Sequence, residues 1–223
     1  MRPTLITLVL ITTLSSATSP DPGVIHNPAV NHNQSPKTPP GEDVHAKLIQ
    51  GRHRSVLAYA GPTHSFTFDI PYKSVKPSDV PGFVTIEKQI VQATLVPAGK
   101  SLQSRLCGPE KEKELLTKYM NYELSYYKKK LKQNYSQLST EWMTIHGRTF
   151  LVWYFNMPGN YKLVSRQVYV STLFDDQVVD LNAPVFKMDD WGNARAILVR
   201  LAGAMQTFDK HLDLAALETR LKK

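Results

Sequence analysis

The chain holds one cysteine, Cys107, and with it one side chain of high intrinsic nucleophilicity. A thiolate is activated when an imidazolium lies beside it, so His146 or His64 could serve as its base in a small secreted hydrolase or transferase. Neither histidine neighbours Cys107 along the chain, and a lone cysteine is also the ordinary choice for a small buried apolar residue. Two carboxylate pairs, Asp175-Asp176 and Asp189-Asp190, have the chemistry to share a proton or bind a cation, but each falls where a turn or a helix cap would use it. His26, His32 and His45 lack the paired spacing and accompanying cysteines of a metal site. There is no Gly-x-Ser-x-Gly elbow, no His-Glu-x-x-His and no phosphate loop. The sequence therefore names no catalytic set, no cofactor and no metal.

Charge offers a different chemistry. The formal net charge is +8, which favours anionic partners such as an acidic polymer or an acidic protein surface. Lys128, Lys129, Lys130 and Lys132 cluster at the end of a helical stretch together with Tyr126, and these five residues are the candidate anion or partner surface. The same pattern also describes a half-buried tyrosine rim with lysines stretched out to water. Acids and bases are otherwise interspersed, and nucleic acid is not the expected partner.

These residues are positioned by three kinds of element. The stretch from Thr140 to Leu181 carries β-branched and aromatic runs broken by His146-Gly147, Pro158-Gly159-Asn160 and Asp175-Asp176, the signature of consecutive antiparallel hairpins. Before it, Glu110 to Tyr135 predicts a long helix, with acids near its start, lysines near its end, and Leu116, Met120, Leu124, Tyr127 and Leu131 along one face. After it, a helix starting at Asp189 or Asp190 carries Ala194, Ile197, Leu198, Leu201, Met205 and Phe208 on one face, followed by a short closing helix from Asp213 to Leu221. Ahead of the long helix, Ser55–Ala60, Ser65–Ile70, Phe83–Lys88 and Gln89–Val96 read as strands, with a polar loop from Pro71 to Pro81.

The N-terminal part differs in composition. No Phe, Trp or Tyr precedes Tyr59, and seven of the fifteen prolines fall in the first forty residues. Such a segment cannot bury enough apolar surface to offset its chain entropy. Residues 1–17 have the form of a signal peptide: Arg2, an apolar run of about ten residues that is too short to span a bilayer, and small residues at Ser15-Ser16-Ala17. Residues 18–45 are expected to be a disordered linker, and residues 46–223 a single domain. The expected location is secreted or periplasmic, with no transmembrane segment after signal cleavage. An uncleaved anchor is the alternative.

The order of strands, long helix, meander and C-terminal helix resembles the PsbP-like superfamily, which includes the photosystem II extrinsic PsbP subunit, Ran-binding nuclear transport regulators and related bacterial envelope proteins. The resemblance rests on Phe66-Thr67-Phe68-Asp69-Ile70-Pro71, on Ile145-His146-Gly147-Arg148 leading into an aromatic strand, on Arg166-Gln167-Val168-Tyr169 and on Met205-Gln206-Thr207-Phe208, across residues 64–209. It implies an α+β fold, an antiparallel sheet flanked by helices on both faces as an α/β/α sandwich. It also implies a non-enzymatic protein that works by binding a protein partner. It brings no cofactor and no functional residues.

Overall fold

A computed structural model describes residues 45–61, 64–78, 83–97, 108–131, 135–159, 161, 163–174 and 177–223. Cys107, Lys132, the Asp175-Asp176 turn and residues 1–44 lie outside the described residues. The strands are β1 (His45–Gln50), β2 (Ser55–Ala60), β3 (Ser65–Ile70), β4 (Val75–Pro77), β5 (Phe83–Ile86), β6 (Gln89–Pro97), β7 (Ser136–Ile145), β8 (Arg148–Asn156), β9 (Val164–Phe174), β10 (Gln177–Phe186) and β11 (Met205–Phe208). The helices are α1 (Pro109–Leu131), α2 (Trp191–Gly203) and α3 (Leu214–Lys222). Among the described residues no helix is long and apolar enough to cross a membrane.

The meander is the middle of a seven-stranded antiparallel sheet in the order β4-β5-β6-β10-β9-β8-β7. The hairpin turn at His146-Gly147 has φ values of 50° and 76°, the left-handed pair that a tight two-residue hairpin needs. Glu87-Lys88 makes the same kind of turn between β5 and β6, at φ 48° and 79°, without a glycine to ease it. The backbone N–H of Glu87 donates to the Ser74 carbonyl at 2.9 Å, and its carboxylate accepts from the Ser74 N–H at 3.1 Å, which ties the strained turn to the chain beside it.

Period-two alternation divides the residues of this sheet between its two faces. Val152, Val168, Val170, Val179, Leu181 and Ala183 point one way, into a core shared with Ala194, Ile197, Leu198 and Leu201 of α2 and with Phe66, Phe68 and Ile70 of β3. Leu151, Trp153, Phe155 and Tyr169 point the other way, toward α1, which packs on β8 and β9. Helices thus lie on both faces of the sheet, the α+β arrangement expected from the sequence.

Three expectations are corrected. The strands do not form one sheet: β4, β5 and β6 join the meander, whereas β1, β2, β3 and β11 form a separate four-stranded antiparallel sheet. Its inner face packs on the main core through Leu57, Tyr59, Phe66 and Phe68, while Ile49, Val56 and Ala58 on its outer face receive Leu217 and Leu221 of α3. Second, the C-terminal helix stops at Gly203, and Met205–Phe208 is strand β11 paired with Phe68–Ser65. The helix closes where the Ala204 N–H bonds to the Arg200 and Leu201 carbonyls, and the Ala204 carbonyl then accepts from the Asp69 N–H. Third, the long helix ends at Leu131, so Tyr135 lies outside it and the first meander strand begins at Ser136, earlier than its aromatic run suggested.

Candidate functional site

Two places in the fold bring chemistry-bearing side chains together. The first is buried between α1 and the sheet. Helical spacing puts Leu116, Tyr119, Met120, Glu123, Leu124 and Tyr127 on the face of α1 that meets the sheet, and all of them are buried. Opposite, β10 places Asp180 beside Ser171 of β9, and β9 pairs Tyr169 with Trp153 of β8. Trp153 and Tyr169 stack with ring centroids 3.8 Å apart and planes 7° from parallel. The Trp153 indole N–H donates to Ser171 Oγ at 3.0 Å, and the Ser171 hydroxyl donates to Asp180 Oδ1 at 2.5 Å. Asn182 Nδ2 donates to Asp180 Oδ2 at 3.3 Å, and the Tyr169 hydroxyl donates to Tyr127 Oη at 2.6 Å.

Glu123 and Asp180 are both fully buried, at 0% exposure. Burial pushes the Asp180 carboxyl up to about 8, against the pull of the Ser171 and Asn182 hydrogen bonds and with a further push from Glu123. Burial alone lifts Glu123 to about 7. Neither Glu123 oxygen has a hydrogen-bond partner among the described residues. The Tyr119 hydroxyl lies beside Asp180 and feels its charge, yet completes no hydrogen bond of good geometry. Burial and the neighbouring carboxyls raise the phenols of Tyr119, Tyr127 and Tyr169 as well, so the pocket resists every negative charge placed in it.

The second place is on the surface, where the ends of β8 and β10 meet the starts of β9 and α2. Asp190 caps α2 by accepting the Gly192 N–H at 2.9 Å, which sets Trp191 in the first turn of the helix. Trp191 tilts against Tyr154 of β8, with centroids 5.1 Å apart, and the Arg166 guanidinium lies 4.9 Å from both ring centroids. Arg166 Nε also donates to Asn156 Oδ1 at 2.9 Å, which fixes the guanidinium in place. The Lys187 N–H bonds to the Leu163 carbonyl, and a turn closed by the Asp189 N–H on the Phe186 carbonyl lifts Met188 to 95% exposure. Leu163 is 49% exposed and Trp191 38%, so Tyr154 and Trp191 brace the cation while Leu163 and Met188 are exposed on the two segments joined by the Lys187–Leu163 bond.

The residues singled out in the sequence lie elsewhere. Lys128 and Lys129 are exposed near the end of α1, and Tyr126 is half-buried with its ring edge-on to Tyr127 at 6.4 Å. Lys130 belongs to α1, but its side chain, like Lys132 altogether, lies outside the described residues. His146 is exposed in its hairpin turn, and His64 is half-buried with its ring 6.0 Å from Phe174. Sequence reasoning missed Glu123 and Asp180. A faint signal existed in each: Glu123 falls between Tyr119 and Tyr127 at helical spacing, and Asp180 interrupts the apolar run Val178–Leu181.

No family model matches the chain, and no curated protein matches it. Among solved structures it is similar to the solution structure of cyanobacterial PsbP (CyanoP) from Synechocystis sp. PCC 6803, with a TM-score of 0.45 and 10% sequence identity, over 64% of this chain and 86% of that one. That neighbour is a PsbP, from the superfamily the sequence motifs resemble.

Proposed function

We propose that the chain is an exported, non-enzymatic binding or assembly protein that acts through protein–protein contact. The observation that carries this reading is the exposed Trp191 stacked with the immobilised Arg166, with exposed Leu163 and Met188 on the two segments joined by the Lys187–Leu163 backbone bond. A partly exposed tryptophan on an immobilised arginine, with further exposed apolar side chains in the same region, is the composition of an interface hot spot: the apolar atoms gain from leaving water, and the arginine's side-chain entropy is already spent. The two acids that burial pushes upward, Glu123 and Asp180, lie under α1, where a substrate does not reach them. Export is supported by the form of residues 1–17.

Crosslinked pull-down from the native envelope or secretome tests this, with the full chain and with a Met188→Asp/Trp191→Ala variant. One stoichiometric, salt-resistant partner is expected with the parent chain. Loss of a single hot-spot pair of this kind costs about 2 kcal/mol or more, so the variant should bind at least roughly thirtyfold more weakly. Equal capture by both chains rejects the surface. Capture that collapses with salt and with Lys128→Ala/Lys129→Ala would instead favour an anionic polymer held by the α1 lysines.

A further inference from the structure

The buried cluster under α1 has no part in the surface contact proposed above, and its composition is costly. Two carboxyls and three phenols share one low-dielectric space: Glu123, Tyr119 and Tyr127 from α1, Tyr169 from β9 and Asp180 from β10, with Trp153 of β8 and Ser171 of β9 completing the wall. The groups acting on Asp180 are Ser171, Glu123, Asn182 and Tyr119, none of them cationic. Both Glu123 oxygens and the Tyr119 hydroxyl are buried without a partner among the described residues. A buried anion without a counter-charge is tolerated only as its neutral acid.

We propose that Glu123 and Asp180 form a proton-operated latch: with both carboxyls protonated α1 is docked on the sheet, and when they ionise α1 lifts, exposing the Trp153–Phe155–Tyr169 face. The architecture makes the response local. Asp180 sits in β10, hydrogen-bonded on both sides by β6 and β9, so its strand cannot move without breaking the sheet. α1 pairs with no strand and is held by side chains on β8 and β9, so it is the partner that can leave. Burial places the two acids near 7 and 8, whereas a solvated carboxyl ionises near 4. The docked state therefore holds two protons that the lifted state releases, and lifting grows easier from about pH 4 up to about pH 8, then levels off.

Native-state amide hydrogen exchange reads this directly. Two released protons allow up to about a hundredfold change in the opening constant per pH unit. For residues 115–127 of the full chain, corrected for intrinsic exchange rates, opening should rise at least about a hundredfold between pH 5 and pH 8. The central amides of β9 and β10, which open only when the sheet unfolds, should stay far better protected than α1 at every pH in that range. Glu123→Gln should remove about half of the logarithmic slope, and Glu123→Gln/Asp180→Asn should leave it near zero. A flat profile in the parent chain overturns the latch. So does an α1 opening constant equal to that of β9 and β10 at every pH, which would be global unfolding, or a slope unchanged in the Glu123→Gln chain if the double variant does not fold.

Discussion

Gly51 is the position where one added methyl group should cost most for its size. It begins the turn between β1 and β2, and the C-terminal helix rests on it: the Arg52 N–H donates to the Leu221 carbonyl at 2.9 Å. A Cβ on residue 51 would stand 2.5 Å from the Leu221 carbonyl oxygen, 2.9 Å from Leu221 Cβ and 2.9 Å from the Arg54 carbonyl oxygen. Two of these atoms are backbone, so no rotamer change relieves the overlap, and either the β1–β2 turn or α3 must shift. The ceiling is the loss of α3 docking, in which Leu217 and Leu221 are buried against Ile49, Val56 and Ala58. Two buried leucines contribute roughly 1.5–3 kcal/mol each, offset in part by the conformational entropy that a released helix regains. The expected cost of Gly51→Ala is about 2–3 kcal/mol, the balance of these terms, with Tm lower by roughly 4–10 °C. Urea unfolding followed by circular dichroism measures it. A double-mutant cycle with Leu221→Ala locates it, because a helix already displaced should lose less when Leu221 is truncated. A cost under about 0.5 kcal/mol, or strictly additive single costs, would refute the steric argument.

The buried acids set a global pH dependence. Their folded values near 8 for Asp180 and 7 for Glu123 lie above the unfolded values, so the folded chain binds more protons. Their stabilising effect is complete below about pH 4 and is lost as pH rises to about 8; urea midpoints measured from pH 5 to 8 should fall, and Asp180→Asn should flatten the decline. A midpoint that rises across that range would contradict the assignment. At α3, Asp213 Oδ1 accepts the N–H groups of Ala215 and Ala216 at 2.9 and 3.0 Å. Asp213→Ala should cost about 1 kcal/mol in the same unfolding assay, and an unchanged midpoint would show the cap to be idle.

Much of this fold is legible along the chain. Phe66, Phe68 and Ile70 alternate with Ser65, Thr67 and Asp69, and the structure turns the first set into the core. His146-Gly147 reads as a tight turn and adopts the backbone of one. Asp190 reads as a cap and caps α2. The misreadings share a cause. Met205 and Phe208 continue the apolar spacing of Leu198 and Leu201, so the local pattern says helix; the free edge of β3 makes them a strand. His45–Gln50 has one short apolar pair and no strand signature, and becomes β1 because β2 offers it a register and α3 covers Ile49. On the surface, Leu163 is distant in the sequence from Met188 and Trp191, and only the pairing of β9 with β10 and the Lys187–Leu163 bond bring the two segments together.

The sequence by itself determined which segments alternate, which are helical, where the chain turns and how its composition changes after the first forty-odd residues. Those properties depend on neighbours within a few positions, and periodicity records them. Only the tertiary structure decided that the strands divide into two sheets and that Glu123, an acid on an otherwise ordinary helix, faces Asp180 across a buried interface. Burial of a polar group depends on what lies opposite it, and for Glu123 that group is on β10, more than fifty residues further along the chain.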